Sequence, residues 1–495
     1  MFRKILVANR GEIARRVINT CREMGIATVV VYSVADREAV HVLKADQAIF
    51  LGNSEPSESY LNIEKIIAAA KETGAEAIHP GYGFLAESPE FAERCEDEGI
   101  TFIGPPSRVI RELGDKTVAR RTVSQGGVPV IPGMDRAESD PVLLERESAR
   151  IGYPVLIKAA AGGGGKGMRV VTRPEDFHEA ALSASSEAKS AFGNGAIYLE
   201  RYLARPRHVE FQIVADRFGN AVHLFERECS IQRRHQKIIE ETPSPAMTPK
   251  LRERMGEAAI AVAAASGYVN AGTVEFLLDA EGNFYFLEVN TRLQVEHPVT
   301  EMTTGVDIVR LQLEIAAGER LRLRQKHLRQ RGHAIECRIY AEDPEKGFYP
   351  SPGKIVYLEE PSGAGIRNDS GIYAGYTVPV EYDPILSKLI VHAEDRDAAI
   401  TRMIRALREY VILGVRTPIP FLIEVLQSAP FRAGETFTDF IDAHFSNWQP
   451  DRKDSDLARI AFIIDEIARQ KRPLAVAARE EGYPTPWQTL GNRWR

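Results

Sequence analysis

The sequence predicts a multidomain protein in which an N-terminal α/β domain is followed by α+β modules. Three observations carry that reading. The chain has 495 residues, several times the length of one ordinary domain. Residues 1–115 alternate short apolar runs with helical patterns, the pattern of βαβ units around a parallel sheet. From about residue 204 that rhythm gives way to strands, hairpins and helices in mixed order. Composition agrees: hydrophobic residues make up 44% and charged residues 27%, which excludes collagen-like, coiled-coil and disordered chains. Lys plus Arg is 63 against 69 Asp plus Glu, and a net charge of −6 leaves no footprint for general nucleic-acid binding.

Along the chain, residues 5–8 read as a first strand, 12–24 as a helix, 28–32 as a strand, 60–71 as a helix and 77–78 as a further strand. Turn signals follow at Asn9-Arg10-Gly11, at His79-Pro80-Gly81-Tyr82-Gly83 and at Gly104-Pro105-Pro106, where open α/β sheets place ligand loops. No GxGxxG follows the first strand, so no dinucleotide site is expected there. A Pro, Gly and Asp-rich break over 128–140 opens a second module with strands at 153–158 and 196–200. Beyond Trp448 come a charged stretch, an apolar helix around 460–467, and a tail with Trp487 and Trp494. Residues 5–8 are too short a run for a signal-peptide core or a membrane span. The cysteines Cys21, Cys95, Cys229 and Cys337 form no CxxC pair and suit a reducing compartment, so a cytoplasmic protein is expected.

Three constellations carry chemistry. Residues 162–167, Gly-Gly-Gly-Gly-Lys-Gly, follow a strand ending at Lys158, so open backbone N–H groups could wrap an anion that Lys158 and Lys166 neutralise. This suggests a triphosphate clamp acting as a lid, with a flexible turn as the alternative. A Walker A motif is ruled out because Gly167 follows the lysine. Residues 272–290 read as two apolar strands about a turn at Glu281-Gly282-Asn283. Glu275 and Glu288 flank that turn symmetrically, so antiparallel pairing sets their carboxylates opposite each other. Such carboxylates repel, and a divalent cation reverses the penalty; with the Asn290 amide oxygen they suit Mg²⁺ bridging nucleotide phosphates. If the segment stays extended, Glu288, Asn290, Arg292, Gln294 and Glu296 share one face, unlike an ordinary solvent-facing edge. Residues 229–237 concentrate donors for phosphate or ribose, or form a basic surface patch, and Arg338 lies in a strand-like run at 334–340.

These segments resemble biotin carboxylase: KILVANRGEIA at 4–14, HPGYGFLAE at 79–87, GGGGKGMRVV at 162–171, SIQRRHQK at 230–237, EVNTRLQVEHPVTE at 288–301 and GYTV at 375–378. The resemblance covers about residues 1–446. It implies an ATP-grasp fold with a Rossmann-like N-terminal domain (1–115), an ATP-grasp region with a mobile lid (116–203, the lid about 130–203), a catalytic ATP-grasp domain (204–330) and a C-terminal biotin carboxylase domain (331–446). Residues 447–495 form an extension that docks a partner or folds back on its own domain. The implied chemistry uses ATP and bicarbonate to make carboxyphosphate and then carboxylates N1 of biotin held on a carrier protein, with Mg²⁺ or Mn²⁺, two ions expected. Position by position, Lys116, Lys158, Gly164, Gly165, Lys166, Glu200, Arg201, Tyr202, Leu203, His208, Gln232, His235, Glu275, Leu277 and Glu288 match nucleotide-binding residues. Glu275, Glu288 and Asn290 match metal ligands. Lys237, Arg292, Gln294 and Val295 match the bicarbonate pocket, Glu296 the general base, and Arg338 the group that stabilises the biotin enolate.

Arg201 stands where a lysine is common, and Lys166 where some relatives carry Arg, a point charge in place of a bidentate donor. No Met-Lys-Met tripeptide occurs to carry biotin, and residues after 450 are too few for a carboxyltransferase. The resemblance therefore implies one subunit of a multi-subunit carboxylase, partnered by a biotin carboxyl carrier protein and carboxyltransferase chains, and a homodimer. Acetyl-CoA carboxylase is the expected assembly, with pyruvate, 2-oxoglutarate and propionyl-CoA carboxylases as alternatives. A carbamoyl-phosphate-synthase-like ligase and a non-enzymatic nucleotide sensor are the readings from other classes.

Overall fold

The computed structural model describes residues 1–134, 136–160, 168–450 and 464. Its N-terminal part is a parallel sheet of β1 (Lys4–Val7), β2 (Ala27–Ser33), β3 (Gln47–Gly52), β4 (Ala77–His79) and β5 (Thr101–Phe102) in the order β3-β2-β1-β4-β5. Helix α1 (Gly11–Glu23) and helix α2 (Ile63–Thr73) fall where the periodicity put them, within a few residues. Asn62 fixes the start of α2 by accepting the Lys65 N–H, and Gly74, at φ 66°, ends it in the left-handed conformation. Strand β3 escaped the sequence reading although Ala48-Ile49-Phe50-Leu51 is an apolar run; of these residues only Leu51 is buried.

Helix α3 (Lys116–Gln125), capped by Asp115, leads to a smaller layer. There β6 (Val155–Ala159), β7 (Arg169–Val171) and β8 (Ile197–Arg201) pair antiparallel in the order β7-β6-β8, and helix α4 (Phe177–Phe192) covers them. Val155, Ile157 and Leu199 pack there with Phe177, Ala181 and Ala184, giving the layer its own core. Each fully buried aliphatic or Phe side chain in such a core contributes about 1.5–3 kcal/mol. The Gly-rich run at 162–167, with Gly164, Gly165 and Lys166, lies outside the described residues.

The rest is built on one eight-stranded antiparallel sheet. Its strands are β9 (Arg207–Ala215), β10 (Ala221–Arg233), β11 (Gln236–Thr242), β12 (Asn270–Leu278), β13 (Phe284–Asn290), β14 (His333–Tyr340), β15 (Ile366–Ser370) and β16 (Ile385–Ala393), in the order β13-β12-β9-β10-β11-β14-β16-β15. Pairing of β11 with β14 carries the sheet from the segment expected at 204–330 into that expected at 331–446. Helix α5 (Pro249–Ser266) sets Met255, Ala259 and Val262 against Phe211, Val274 and Phe276. The period of two along β9 then turns His208, Glu210 and Gln212 to the opposite face. On β14, Ile335, Cys337 and Ile339 likewise enter a core that includes Met403 and Leu407 of α7 (Arg396–Glu409), while Glu336 and Arg338 face the other way. Helix α6 (His297–Thr304) lies against β14 and β16.

Contacts divide the chain after Trp448, whose ring meets Phe421 edge-on at 5.3 Å. The expected helix at 460–467, apart from Ile464, and Trp487 and Trp494 lie outside the described residues. Among the described residues no helix is long and apolar enough to cross a membrane.

Candidate active site

The polar face of the large sheet carries a row of charges. Glu288 on β13 stands opposite Glu275 on β12, Glu275 opposite Glu210 on β9, and Glu210 opposite Arg227 on β10. The hairpin register expected for Glu275 and Glu288 is the observed one. Directly opposed carboxylates on neighbouring strands destabilise one another unless cations intervene. Three basic side chains do so here. Arg227, fully buried, donates to Glu210 Oε1 at 2.6 Å and to Gln212, Thr273 and Thr300. Lys237, at the start of β11, uses its ammonium on three carboxylates at once: Glu210 at 2.6 Å, Glu275 at 2.9 Å and Glu296 at 2.7 Å. His208 Nε2 lies 2.7 Å from Glu275 Oε2, an ion-pair contact without good hydrogen-bond geometry.

Glu296 is held from both sides. One carboxylate oxygen accepts from Lys237, and the other accepts from Arg338 Nη2 at 3.1 Å. Arg338 is itself fixed by Glu240, whose Oε1 accepts from its Nε at 2.6 Å. Burial alone would push the Glu296 carboxyl up, but Lys237, Arg338 and Arg227 hold it well below the usual carboxylate range. Glu275 is kept low against burial by Lys237 and His208. Glu288 behaves oppositely: burial and then the charge of Glu275 push it up. It makes no side-chain hydrogen bond or ion pair among the described residues.

The loop after β13 departs from expectation. Residues 291–296 do not stay extended; β13 ends at Asn290, and a turn at Val295 and Glu296 leads into α6. The convergence expected from strand alternation arises differently. Leu293, fully buried, packs with Ile5, Val7 and Val309 and pins the loop. Asn290 Nδ2 and Gln294 Nε2 both donate to Glu275 Oε1, at 2.7 and 2.8 Å. Arg292 donates to Asn290 Oδ1 at 2.9 Å, to Gln294 Oε1 at 2.6 Å and to Glu87 at 2.9 Å. Of the five polar residues picked out on one strand face, Asn290, Arg292 and Gln294 thus meet through a turn rather than a pleat, Glu296 joins them through Lys237, and Glu288 stands opposite Glu275 without a side-chain bond among the described residues.

A second cleft opens beside this site. Lys116, Arg120, Lys158, Glu200, Phe286 and Glu288 line it, so residues from α3, β6, β8 and β13 share one wall. Lys158 and Arg120 both bond Glu200, the latter at 3.1 Å. The chain enters the smaller layer across β8: Arg201 N donates to Pro132 O at 2.8 Å, and Met134 N to Leu199 O at 2.9 Å. The Arg201 side chain is exposed, while Tyr202, Leu203 and Leu277 are half-buried. Gln232 is buried near the end of β10. His235 is exposed, at the tip of the two-residue turn between β10 and β11.

Hard oxygen donors suit Mg²⁺ or Mn²⁺, but of the three expected ligands Glu275 Oε1 already accepts from Lys237, Asn290 and Gln294 and Asn290 Oδ1 from Arg292, so these two could serve a cation only after giving up those bonds. The unpartnered, repelled carboxylate of Glu288 fits a cation ligand. Sequence reasoning missed Glu87, Glu210, Arg227, Glu240 and Arg120. The strict polar alternation of His208, Glu210 and Gln212 among Val209, Phe211 and Ile213 was a usable signal for Glu210. Arg227 and Arg120 carry no such local signal.

A cleft rich in cations beside paired carboxylates, on an antiparallel sheet next to a smaller three-stranded layer, suits a polyanionic ligand such as the phosphates of a nucleotide. Comparison with known proteins agrees. Family models match the biotin carboxylase N-terminal domain over 1–110, the carbamoyl-phosphate synthase L chain ATP-binding domain over 115–324 and the biotin carboxylase C-terminal domain over 336–443. The chain is 56% identical over 444 residues to a pyruvate carboxylase subunit of Methanothermobacter thermautotrophicus, covering 90% of each. It is 53% identical over 443 residues to the biotin carboxylase of a Nostoc strain, covering 89% of this chain and 98% of that one. Among solved structures, the biotin carboxylase domain dimer of Hydrogenobacter thermophilus 2-oxoglutarate carboxylase, in complex with MgADP, ADP and bicarbonate, matches at TM-score 0.86 and 50% identity, covering 90% of this chain and 98% of that one. The chain belongs to the biotin carboxylase family.

Proposed function

We propose that this chain uses ATP and bicarbonate to carboxylate N1 of biotin carried on a separate protein. The observation that carries the reading is Glu296, a buried carboxylate gripped by Lys237 and Arg338 beside Arg292 and Gln294. In this reading the bicarbonate anion enters among Lys237, Arg292 and Gln294. Its charge competes for the Lys237 ammonium, which loosens the grip on Glu296 and raises its basicity toward what proton removal needs. The deprotonated bicarbonate oxygen attacks the γ-phosphorus of ATP, ADP leaves and carboxyphosphate forms, with Arg292 holding the nucleophile in line. In this reading carboxyphosphate then breaks into CO₂ and phosphate, the phosphate takes the N1 proton of biotin, and N1 attacks the CO₂ while Arg338 stabilises the biotin enolate oxygen. A divalent ion held by Glu275, Glu288 and Asn290 would neutralise charge on the nucleotide phosphates. Lys116 and Lys158 serve the nucleotide, and domain limits near 115, 203, 330 and 446 belong to the same reading.

The support is the family membership together with the ligands of solved relatives, bicarbonate and MgADP in the Hydrogenobacter domain and β,γ-ATP in a Campylobacter jejuni biotin carboxylase. Acetyl-CoA carboxylase is the proposed assembly. Pyruvate is the second reading for the final acceptor, favoured by the 56% identity to a pyruvate carboxylase chain. The test is phosphate release from ATP with Mg²⁺ and bicarbonate, with and without biotin, free or on a carrier protein. Biotin-stimulated release in the wild type that E296Q lacks, while E296Q still binds nucleotide, is the expected result. Release that ignores biotin and follows ammonia instead would overturn the function, and unchanged turnover in E296Q would remove the base.

A further inference from the structure

Directly opposite Arg338 in the sheet stands a second cation, Lys388 on β16. Cross-strand neighbours face the same side, and like charges so placed repel. Lys388 is also fully buried, a costly position for an ammonium unless it is paired and hydrogen-bonded. Its contacts show where it is directed. Nζ donates to the Val295 carbonyl at 2.9 Å and lies 3.3 Å from Glu12 Oε2. Glu12 belongs to α1, and its other oxygen accepts from the Tyr82 hydroxyl, whose ring lies 5.8 Å from the Lys388 ammonium. The N-terminal domain thus orients Lys388, and Lys388 reaches the loop that carries Glu296.

We propose that Lys388 is a positioning residue for the bicarbonate loop, setting the Val295–Glu296 peptide while Arg338 sets the Glu296 carboxylate. Because a peptide is planar, a carbonyl fixed at Val295 fixes the plane through Glu296 N and Cα, and so the direction from which the Glu296 side chain departs. The two facing cations then have separate acceptors on adjacent residues of one loop: Arg338 takes the carboxylate and Lys388 the preceding carbonyl. Among the described residues no other side chain donates to Val295 O. Losing that bond lets the peptide rotate in a turn that has no strand ladder to hold it, since β13 ends at Asn290. The effect falls on bicarbonate and its deprotonation, not on the nucleotide cleft, which Lys388 does not line.

The inference rests on the proposed role of this loop, and the experiment separates the two. Biotin-dependent phosphate release is measured against bicarbonate and against ATP for the wild type, K388M and K388Q, each checked for folding by its melting curve. K388M removes the donor at similar length and is expected to raise the bicarbonate KM about tenfold while the ATP KM stays within about twofold. K388Q keeps an amide donor without the ion pair to Glu12 and is expected about threefold above wild type for bicarbonate. If K388M does not fold, K388Q against wild type decides. An unchanged bicarbonate KM in the folded variant, or ATP and bicarbonate constants rising together, would overturn the positioning role. A wild type with no bicarbonate dependence would instead overturn the proposed function.

Discussion

Lys237 shows how one residue sets the chemistry of its neighbours. Its ammonium touches Glu210, Glu275 and Glu296, and against the upward push of burial its charge is the foremost influence keeping both Glu275 and Glu296 ionised. Replacing it by a neutral group removes a cation from Glu296, so the carboxyl rises and protonates at higher pH. K237Q is therefore expected to move the acidic limb of the pH profile for bicarbonate-dependent turnover upward by about one unit or more, with lower activity throughout. The sign is fixed: a base that titrates higher is lost sooner as pH falls. A limb that stays in place or moves down would show that Lys237 does not tune Glu296. Much of this set was legible in the sequence, because Glu288, Asn290, Arg292, Gln294 and Glu296 crowd one short segment. Glu87 was not, since its bond to Arg292 spans 205 residues of chain, and no local pattern reports such a pairing.

At the scale of elements, the hairpin from Asn270 to Asn290 was readable because two strands and a turn fix their own register, and Glu275 meets Glu288 as the spacing requires. The path beyond it was not, because Leu293 is drawn into a core built from β1 and α1, a tertiary demand that ends the strand. The hairpin of β10 and β11 holds a different tension. Its two turn residues are Arg234 and His235, at φ 49° and 66°, where Asn and Gly would sit without strain. Side chains kept in that region despite the cost cluster at functional sites. The double variant R234N/H235G is expected to gain about 1 kcal/mol of stability, seen as a higher Tm, while its ATP KM rises several-fold as the imidazole is lost. A lower Tm would rule out strain in the turn, and an unchanged ATP KM would remove His235 from the nucleotide site.

Across the whole molecule, the parallel N-terminal sheet and the change to α+β order after 204 were both visible in the pattern of apolar runs. The joining of β11 to β14 was invisible, because 90 residues of helix and hairpin separate strands that lie side by side. That junction brings Glu240 of one segment to Arg338 of the next, and the N-terminal domain adds Glu87, Glu12 and Tyr82 beneath the same loop. The site is therefore a property of the assembled domains, which suits a reaction whose intermediate must be shielded from water. The proposed chemistry turns on one step, in which a bicarbonate oxygen, deprotonated with the help of Glu296, attacks the γ-phosphorus of ATP. Bicarbonate labelled with oxygen-18, supplied together with ATP, Mg²⁺ and biotin, follows that oxygen when the released phosphate is analysed by mass. Phosphate that carries a labelled oxygen at each biotin-dependent turnover is the expected result, because the attacking oxygen stays on phosphorus when carboxyphosphate breaks down. Unlabelled phosphate would mean that water is the nucleophile, and the roles given to Glu296 and Arg292 would fall with it.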